Sequence, residues 1–140
     1  QIRRLQQIAV AIFLQETGSS GLTPVQYAAL QAVANRPGVD QRTLAGLIGL
    51  DTSTLAGVID RLEARGLVAR QASTEDRRVK QVSATDQGQA ALADLVPAML
   101  RAQERILAPL SKPDRQDFMR LLNALVTANN ELSRAPSQAD

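Results

Sequence analysis

Cysteine and histidine are both absent from the 140 residues, and aromatic residues make up only 2%. Without cysteine there is no disulfide, no redox-sensing thiol and no thiolate nucleophile. Without histidine as well, Cys/His zinc sites disappear together with the commonest general base. Carboxylate-only metal or hydrolase sites would remain, but no paired carboxylates stand in a convincing setting. The composition therefore argues against an enzyme and predicts neither a metal nor a cofactor. Long apolar runs are missing too: none approaches the roughly 20 residues that a membrane-crossing helix needs. No basic-apolar leader precedes residue 1, and because the chain opens on Gln1 the expectation is a trimmed natural N-terminus. Together these absences predict a soluble, cytoplasmic protein with no membrane partner.

What is present fits one domain, or one domain with appended helices. Hydrophobic residues amount to 44%, enough to bury a core and to argue against wholesale disorder. The net charge of +2 is a weak sign of a polyanionic partner by itself. Its distribution says more. Arg61, Arg65, Arg70, Arg77, Arg78 and Lys80 crowd one region, while Asp114, Asp117, Glu131 and Asp140 lie near the C-terminus.

Ile2, Leu5, Ile8, Ala9, Ile12 and Phe13 recur at helical spacing and predict an amphipathic helix ending near Thr17. Gly18-Ser19-Ser20-Gly21 reads as a flexible connector. Thr23-Pro24-Val25-Gln26 has the form of a capping box with proline at the first helical position. It opens a second helix that turns Tyr27, Leu30 and Val33 inward and stops before Pro37-Gly38. Asp40 is placed to cap a short third helix over 41–48, burying Leu44, Leu47 and Ile48. After the tight turn Gly49-Leu50-Asp51, Asp51 or Thr52 caps a fourth helix reaching about Arg65, with the apolar stripe Leu55, Val58, Ile59 and Leu62. Gly66 stops it, as a residue that tolerates the left-handed conformation does.

Residues 67–71 and 79–83 predict two short strands joined by a polar, charged tip over 72–78. Thr85 caps a long helix over 86–107, which Pro97 is expected to kink because it lacks an N–H. Ser111 with Asp114 forms another capping box, opening a last helix through Leu132. The final residues, 133–140, are expected to fray. The fold class is thus mainly α with a small β-hairpin wing. A winged helix-turn-helix spans 22–85, helical segments at 1–17 and 86–133 flank it, and 134–140 form a tail.

The order short helix, tight turn, amphipathic helix, glycine, strand, basic tip, strand points to nucleic-acid binding. With its stripe buried, the fourth helix leaves a face carrying Thr52, Ser53, Thr54, Gly57, Asp60 and Arg61. Small hydroxyl side chains at a helix start reach phosphates or base edges, Gly57 permits close approach, and the helix N-terminus favours an anion. Capping alone accounts for one of Thr52 and Ser53; Ser53 and Thr54 open the predicted recognition helix. Arg77 sits in the tip, where an arginine can enter a narrow minor groove, and Arg78 and Lys80 beside it strengthen that reading over a solvated turn charge. Asp76 would repel phosphate, so it is assigned a structural role, pairing with Arg78 or capping the turn. Arg42 and Thr43 of the third helix are candidates for backbone contact, with a solvated surface an equal alternative for Arg42.

The run Asp60-Arg61-Leu62-Glu63-Ala64-Arg65-Gly66-Leu67-Val68, with Glu75-Asp76-Arg77-Arg78 and Ser83-Ala84-Thr85-Asp86-Gln87-Gly88, resembles the multiple antibiotic resistance regulator (MarR) family. Leu22-Thr23-Pro24-Val25-Gln26-Tyr27 is similar to that family's opening of its second helix. The resemblance covers essentially the whole chain, and Asp-Arg-Arg followed by Thr-x-x-Gly is its most specific element. One departure is Ala84, where the family usually has leucine before the threonine.

The resemblance implies a transcription regulator that binds double-stranded, pseudo-palindromic DNA as a homodimer, its first, fifth and sixth helices intertwined. The apolar stripes agree: Ile2, Leu5, Ile8 and Ile12 at one end and Leu121, Leu122, Leu125 and Val126 at the other exceed what one winged domain buries. The alternative for these stripes is an intramolecular bundle. The resemblance also implies repression relieved by a small effector, often a phenolic or aromatic carboxylate, held between the dimer helices and the DNA-binding lobe. Phe13, Tyr27 and one of Arg3 or Arg4 are the candidates to hold it, with core packing the alternative for the two aromatics. The competing function is a winged-helix module that grips another protein without reading DNA.

Overall fold

The computed structural model describes residues 1–133, and the chain divides into two compact units. One comprises Gln1–Pro24 with Asp94–Asn129, and the other, among the described residues, Val25–Ala93 with 130–133. The predicted fraying over 134–140 lies outside the described residues.

In the second unit, α2 (Pro24–Asn35) is followed by β1 (Val39–Asp40), α3 (Gln41–Ile48), α4 (Thr52–Ala64), β2 (Val68–Ala72) and β3 (Lys80–Ala84). Then comes α5 (Asp86–Leu107), of which the residues to Ala93 belong here. Leu30, Val33, Leu44, Leu55, Ile59, Leu62, Val68 and Val82 form the fully buried core. The α4 stripe is the one its spacing predicts. In α3, however, Leu44 and Ala45 are the buried pair, while Leu47 and Ile48 are only half-buried. Leu47 and Ile48 share that face but lie in the last turn, next to the left-handed Gly49 that closes the helix.

The sheet holds three antiparallel strands in the order β1-β3-β2, one more than the sequence predicts. β1 is two residues long and carries no alternation to reveal it; its partners, Val82 and Gln81, lie about 40 positions further on. The hairpin strands sit one residue later than expected, with Val68 opposite Ala84 and Ala72 opposite Lys80. Gly66, at φ 73°, turns the chain out of α4, and the Leu67 amide still bonds back to the Leu62 carbonyl at 3.0 Å, which delays the strand.

Thr85 ties the hairpin to α5. Its hydroxyl donates to the Gly66 carbonyl at 2.6 Å and accepts from the Gly88 amide at 3.0 Å. The closeness this demands is why residue 88 is glycine: a Cβ there would collide with the Leu67 carbonyl.

The first unit contains α1 (Ile2–Thr17), the remainder of α5 from Asp94, and α6 (Lys112–Ala128). α5 runs unbroken through Pro97. Glu16 of α1 accepts from Arg101 and Arg105 of α5, each at 2.9 Å, and Arg115 of α6 grips Glu104 at 2.8 Å. Ser111 caps α6 as its capping box predicts. The helix stops at Ala128 rather than running to Leu132, because the Asn129 side chain donates to the Leu125 carbonyl at 2.8 Å and closes the last turn. A short 3-10 turn, Asn130–Ser133, follows.

α6 buries none of its side chains. Ile2 is 86% exposed, Leu125 60% and Val126 59%, so this unit presents bare apolar surface on both α1 and α6. Between them lies an apolar hollow of about 460 Å³, lined by Leu5, Ala9, Ile106, Phe118 and Leu122 among others. No helix among the described residues is long and apolar enough to cross a membrane.

Candidate nucleic-acid interface

The helix-turn-helix is built on a repeated four-residue device. Asp40 caps α3, accepting from the Thr43 amide at 2.9 Å and its hydroxyl at 2.6 Å. Asp51 caps α4 in the same way, accepting from the amide and hydroxyl of Thr54, both at 2.7 Å. Each carboxylate satisfies one otherwise orphaned helix N–H and places negative charge at the positive helix end. Burial by itself would raise the Asp40 carboxyl, but the hydrogen bonds from the Thr43 side chain and backbone more than offset it and hold the group below the usual range.

This device sorts the hydroxyls. Those of Thr43 and Thr54 donate to aspartates, so their protons are committed within the chain. Thr52 and Ser53, in the first turn of α4 and exposed, have no hydrogen-bond partner for their hydroxyls among the described residues. Gly57 and Arg61 continue the same side of the helix, with Arg61 exposed.

The basic residues are sorted as well. Arg70 of β2 reaches back to α4: its Nη2 lies 2.6 Å from Asp60 Oδ1 and 3.0 Å from Glu63 Oε1, and its backbone amide donates to Glu63 Oε2 at 3.0 Å. The Arg70 side-chain hydrogen bond, then its amide, pulls the Glu63 carboxyl below the usual range, and Glu63 in turn raises Arg70. This clamp escaped the sequence reading. Its signal is there, since Asp60 and Glu63 stand three apart on α4, close enough to share one cation.

The wing tip is fastened by side chains. The Ser73 hydroxyl accepts from the amides of Glu75 at 3.2 Å and Asp76 at 3.5 Å, and the Ser73 amide bonds to the Val79 carbonyl at 2.9 Å. Asp76 accepts from the Arg78 amide at 3.0 Å and from its guanidinium at 3.2 Å, and these bonds hold its carboxyl below the usual range. Asp76 therefore does both things its position suggested. Arg77, between them, is exposed and has no carboxylate partner among the described residues, nor have Arg42, Arg61 and Lys80. The interface is left with four outward cations and two hydroxyls once internal pairs are set aside.

The candidates for holding an effector are Arg3, Arg4 and Phe13 of the first unit and Tyr27 of the second. Arg3 and Arg4 are exposed at the start of α1, and Phe13 is buried near its other end, about 14 Å away at 1.5 Å per residue. Tyr27 is buried on α2, which raises its hydroxyl pKa. Among the described residues no cluster of three acidic side chains is placed to hold a metal ion.

The MarR family profile matches residues 22–80, which contain this whole surface. A protein assigned to transcriptional regulation of the hcr operon in Thauera aromatica is 35% identical over 131 residues, 94% of this chain and 76% of its own length. The transcriptional regulator HosA of Escherichia coli O111:H- is 34% identical, covering 91% of this chain and 93% of its own. Among solved structures, Bordetella bronchiseptica BpsR, whose DNA binding is regulated by 6-hydroxynicotinic acid, superposes with a TM-score of 0.85 at 31% identity, covering 89% of each chain. The transcriptional repressor CouR bound to a 23-mer DNA duplex gives a TM-score of 0.84 at 28% identity, again over 89% of each chain.

Proposed function

Since this chain belongs to the MarR family of transcription regulators, we propose that it acts as a homodimeric repressor of a pseudo-palindromic operator, released by a small aromatic acid. The observation that carries the DNA-binding part is the sorting of charge. Arg70 and Arg78 are neutralised by carboxylates within the chain, whereas Arg42, Arg61, Arg77 and Lys80 face outward unneutralised. In this reading α4 enters the major groove with Thr52, Ser53, Gly57 and Arg61 towards the DNA. Arg77 leads the wing into the minor groove, where narrow A·T segments concentrate negative potential, and Lys80 lies along the phosphates, while Arg78, held by Asp76, stiffens the turn. Arg42, with Thr43 beside it, meets the backbone from α3.

Dimerisation is supported by the bare apolar faces of α1 and α6, which a second copy would cover. Two winged units would then meet half-sites about 10 bp apart. An aromatic-acid effector is supported by the likeness to BpsR, and α1 offers Arg3 and Arg4 as exposed cations for a carboxylate. Phe13 and Tyr27 are the aromatic candidates.

The test is fluorescence anisotropy with duplexes tiled across the DNA upstream of its own gene, at several salt concentrations, alongside light scattering for the oligomeric state. A dimer whose affinity falls steeply with salt is expected, since bound cations displace counterions. The Arg77→Ala variant should bind more weakly and with a shallower salt slope. A folded protein that binds no duplex at low salt would point instead to a protein partner.

A further inference from the structure

Gly57 stands in the middle of α4, yet nothing inside the chain calls for glycine there. Its backbone is ordinary right-handed helix, unlike Gly49 and Gly66, whose φ values of 71° and 73° favour glycine. Among the described residues a Cβ at residue 57 would meet no atom within 4 Å beyond its chain neighbours and its own helix backbone, unlike one at Gly88, which would strike a backbone carbonyl. Glycine is also among the poorest residues for a helix interior, because it gives up the most conformational freedom on folding. Position 57 therefore weakens α4 with no return from the chain's own packing.

The neighbours indicate where the return lies. Ser53, Gly57 and Arg61 are spaced four apart and line one side of α4, away from the buried Leu55, Val58, Ile59 and Leu62. Ser53 is exposed with its hydroxyl unpartnered among the described residues, and a serine side chain is too short to reach DNA from a helix held off by bulk beside it. Arg61 is long enough to reach at any depth.

Building on the assignment of α4 as the recognition helix, we propose that Gly57 is the point of closest approach between protein and DNA. The bare backbone at this position lets α4 settle deeply enough for the Ser53 hydroxyl to bond to the duplex. Gly57 is thus a positioning residue, Ser53 is the contact it enables, and affinity is gained at the expense of helix stability.

The experiment is a double-mutant cycle of Gly57→Ala and Ser53→Ala, with thermal unfolding of each variant and anisotropy on a duplex that the wild type binds. Gly57→Ala should raise the melting temperature by about 2–6 °C, as the better helix former does. The same variant should bind DNA roughly three- to tenfold more weakly, the loss expected for a hydrogen bond or two. Ser53→Ala should cost a similar factor alone and almost nothing further once residue 57 is alanine. Wild-type affinity in Gly57→Ala, a lowered melting temperature, or fully additive losses would each overturn the proposal while leaving DNA binding standing. A folded wild type that binds no duplex would overturn both.

Discussion

The amide of Gly88 donates to the hydroxyl of Thr85 across 3.0 Å, and the same hydroxyl donates to the Gly66 carbonyl at 2.6 Å. One threonine thereby joins the end of α4 to the start of α5, and the wing hangs between the two joints. Adding a methyl at residue 88 drives it into the Leu67 carbonyl, which is backbone and cannot swing aside. Gly88→Ala should cost about 1–3 kcal/mol of stability or more, the range for overpacking a well-packed site. Thr85→Val, which removes both hydrogen bonds at similar shape, should cost about 1–3 kcal/mol. Urea unfolding of the two variants checks this, and wild-type midpoints for Gly88→Ala would mean that the wing root is loose.

Arg70 offers a prediction about binding rather than folding. It draws Asp60 and Glu63 towards β2 and cancels charge that would otherwise face phosphate. Arg70→Gln frees two carboxylates on α4, the helix proposed to enter the groove, and uncovered like charge opposes a polyanion. Affinity for DNA should fall by roughly tenfold or more, and Asp60→Asn in the same chain should recover part of it. Anisotropy at fixed salt distinguishes this from a direct phosphate contact, which Asp60→Asn would not restore.

The wing gives a case in which simple charge counting and the structure disagree. Asp76→Asn makes the tip more positive, so net charge alone predicts tighter DNA binding. The carboxylate, however, accepts from both the amide and the guanidinium of Arg78, and with Ser73 it fixes the turn that presents Arg77. Losing it should let the tip spread over many conformations, so that ordering it costs binding free energy. The expected result is weaker binding, by roughly two- to tenfold, with the salt slope unchanged. Tighter binding would show that Asp76 acts on DNA only through its charge.

How far these features could be read from sequence follows from how local they are. Asp40, Asp51, Thr85 and Ser111 cap their helices through contacts within three residues, and sequence spacing contains all of that. The stripe Leu55, Val58, Ile59 and Leu62 is legible for the same reason. β1 is not, since Val39 and Asp40 become a strand only by lying beside Val82 and Gln81. Arg70 reads in the sequence as one more basic residue, because its partners Glu63 and Asp60 lie seven and ten positions back on another element. Gly57 is legible as a small residue on the outward face of α4, but the open space around it, which sets it apart from Gly88, is not contained in any spacing.

Glu16 carries the clearest pH dependence. Its carboxylate takes hydrogen bonds from Arg101 and then Arg105, and these pull its pKa below the ordinary glutamate value. A carboxyl whose folded pKa lies below its unfolded one contributes stability that is fully present above the unfolded value, roughly 4.3 for glutamate. That contribution fades as pH falls from there through the folded pKa, because the folded state must then take up a proton it resists. Glu16→Gln should therefore unfold at lower urea than the wild type at pH 7, and the gap should close towards pH 3. At acid pH both chains present a neutral group to the two arginines, so their midpoints should converge. A gap that persists unchanged to pH 3 would mean that Glu16 stabilises α1 against α5 by packing of its stem and not by its charge.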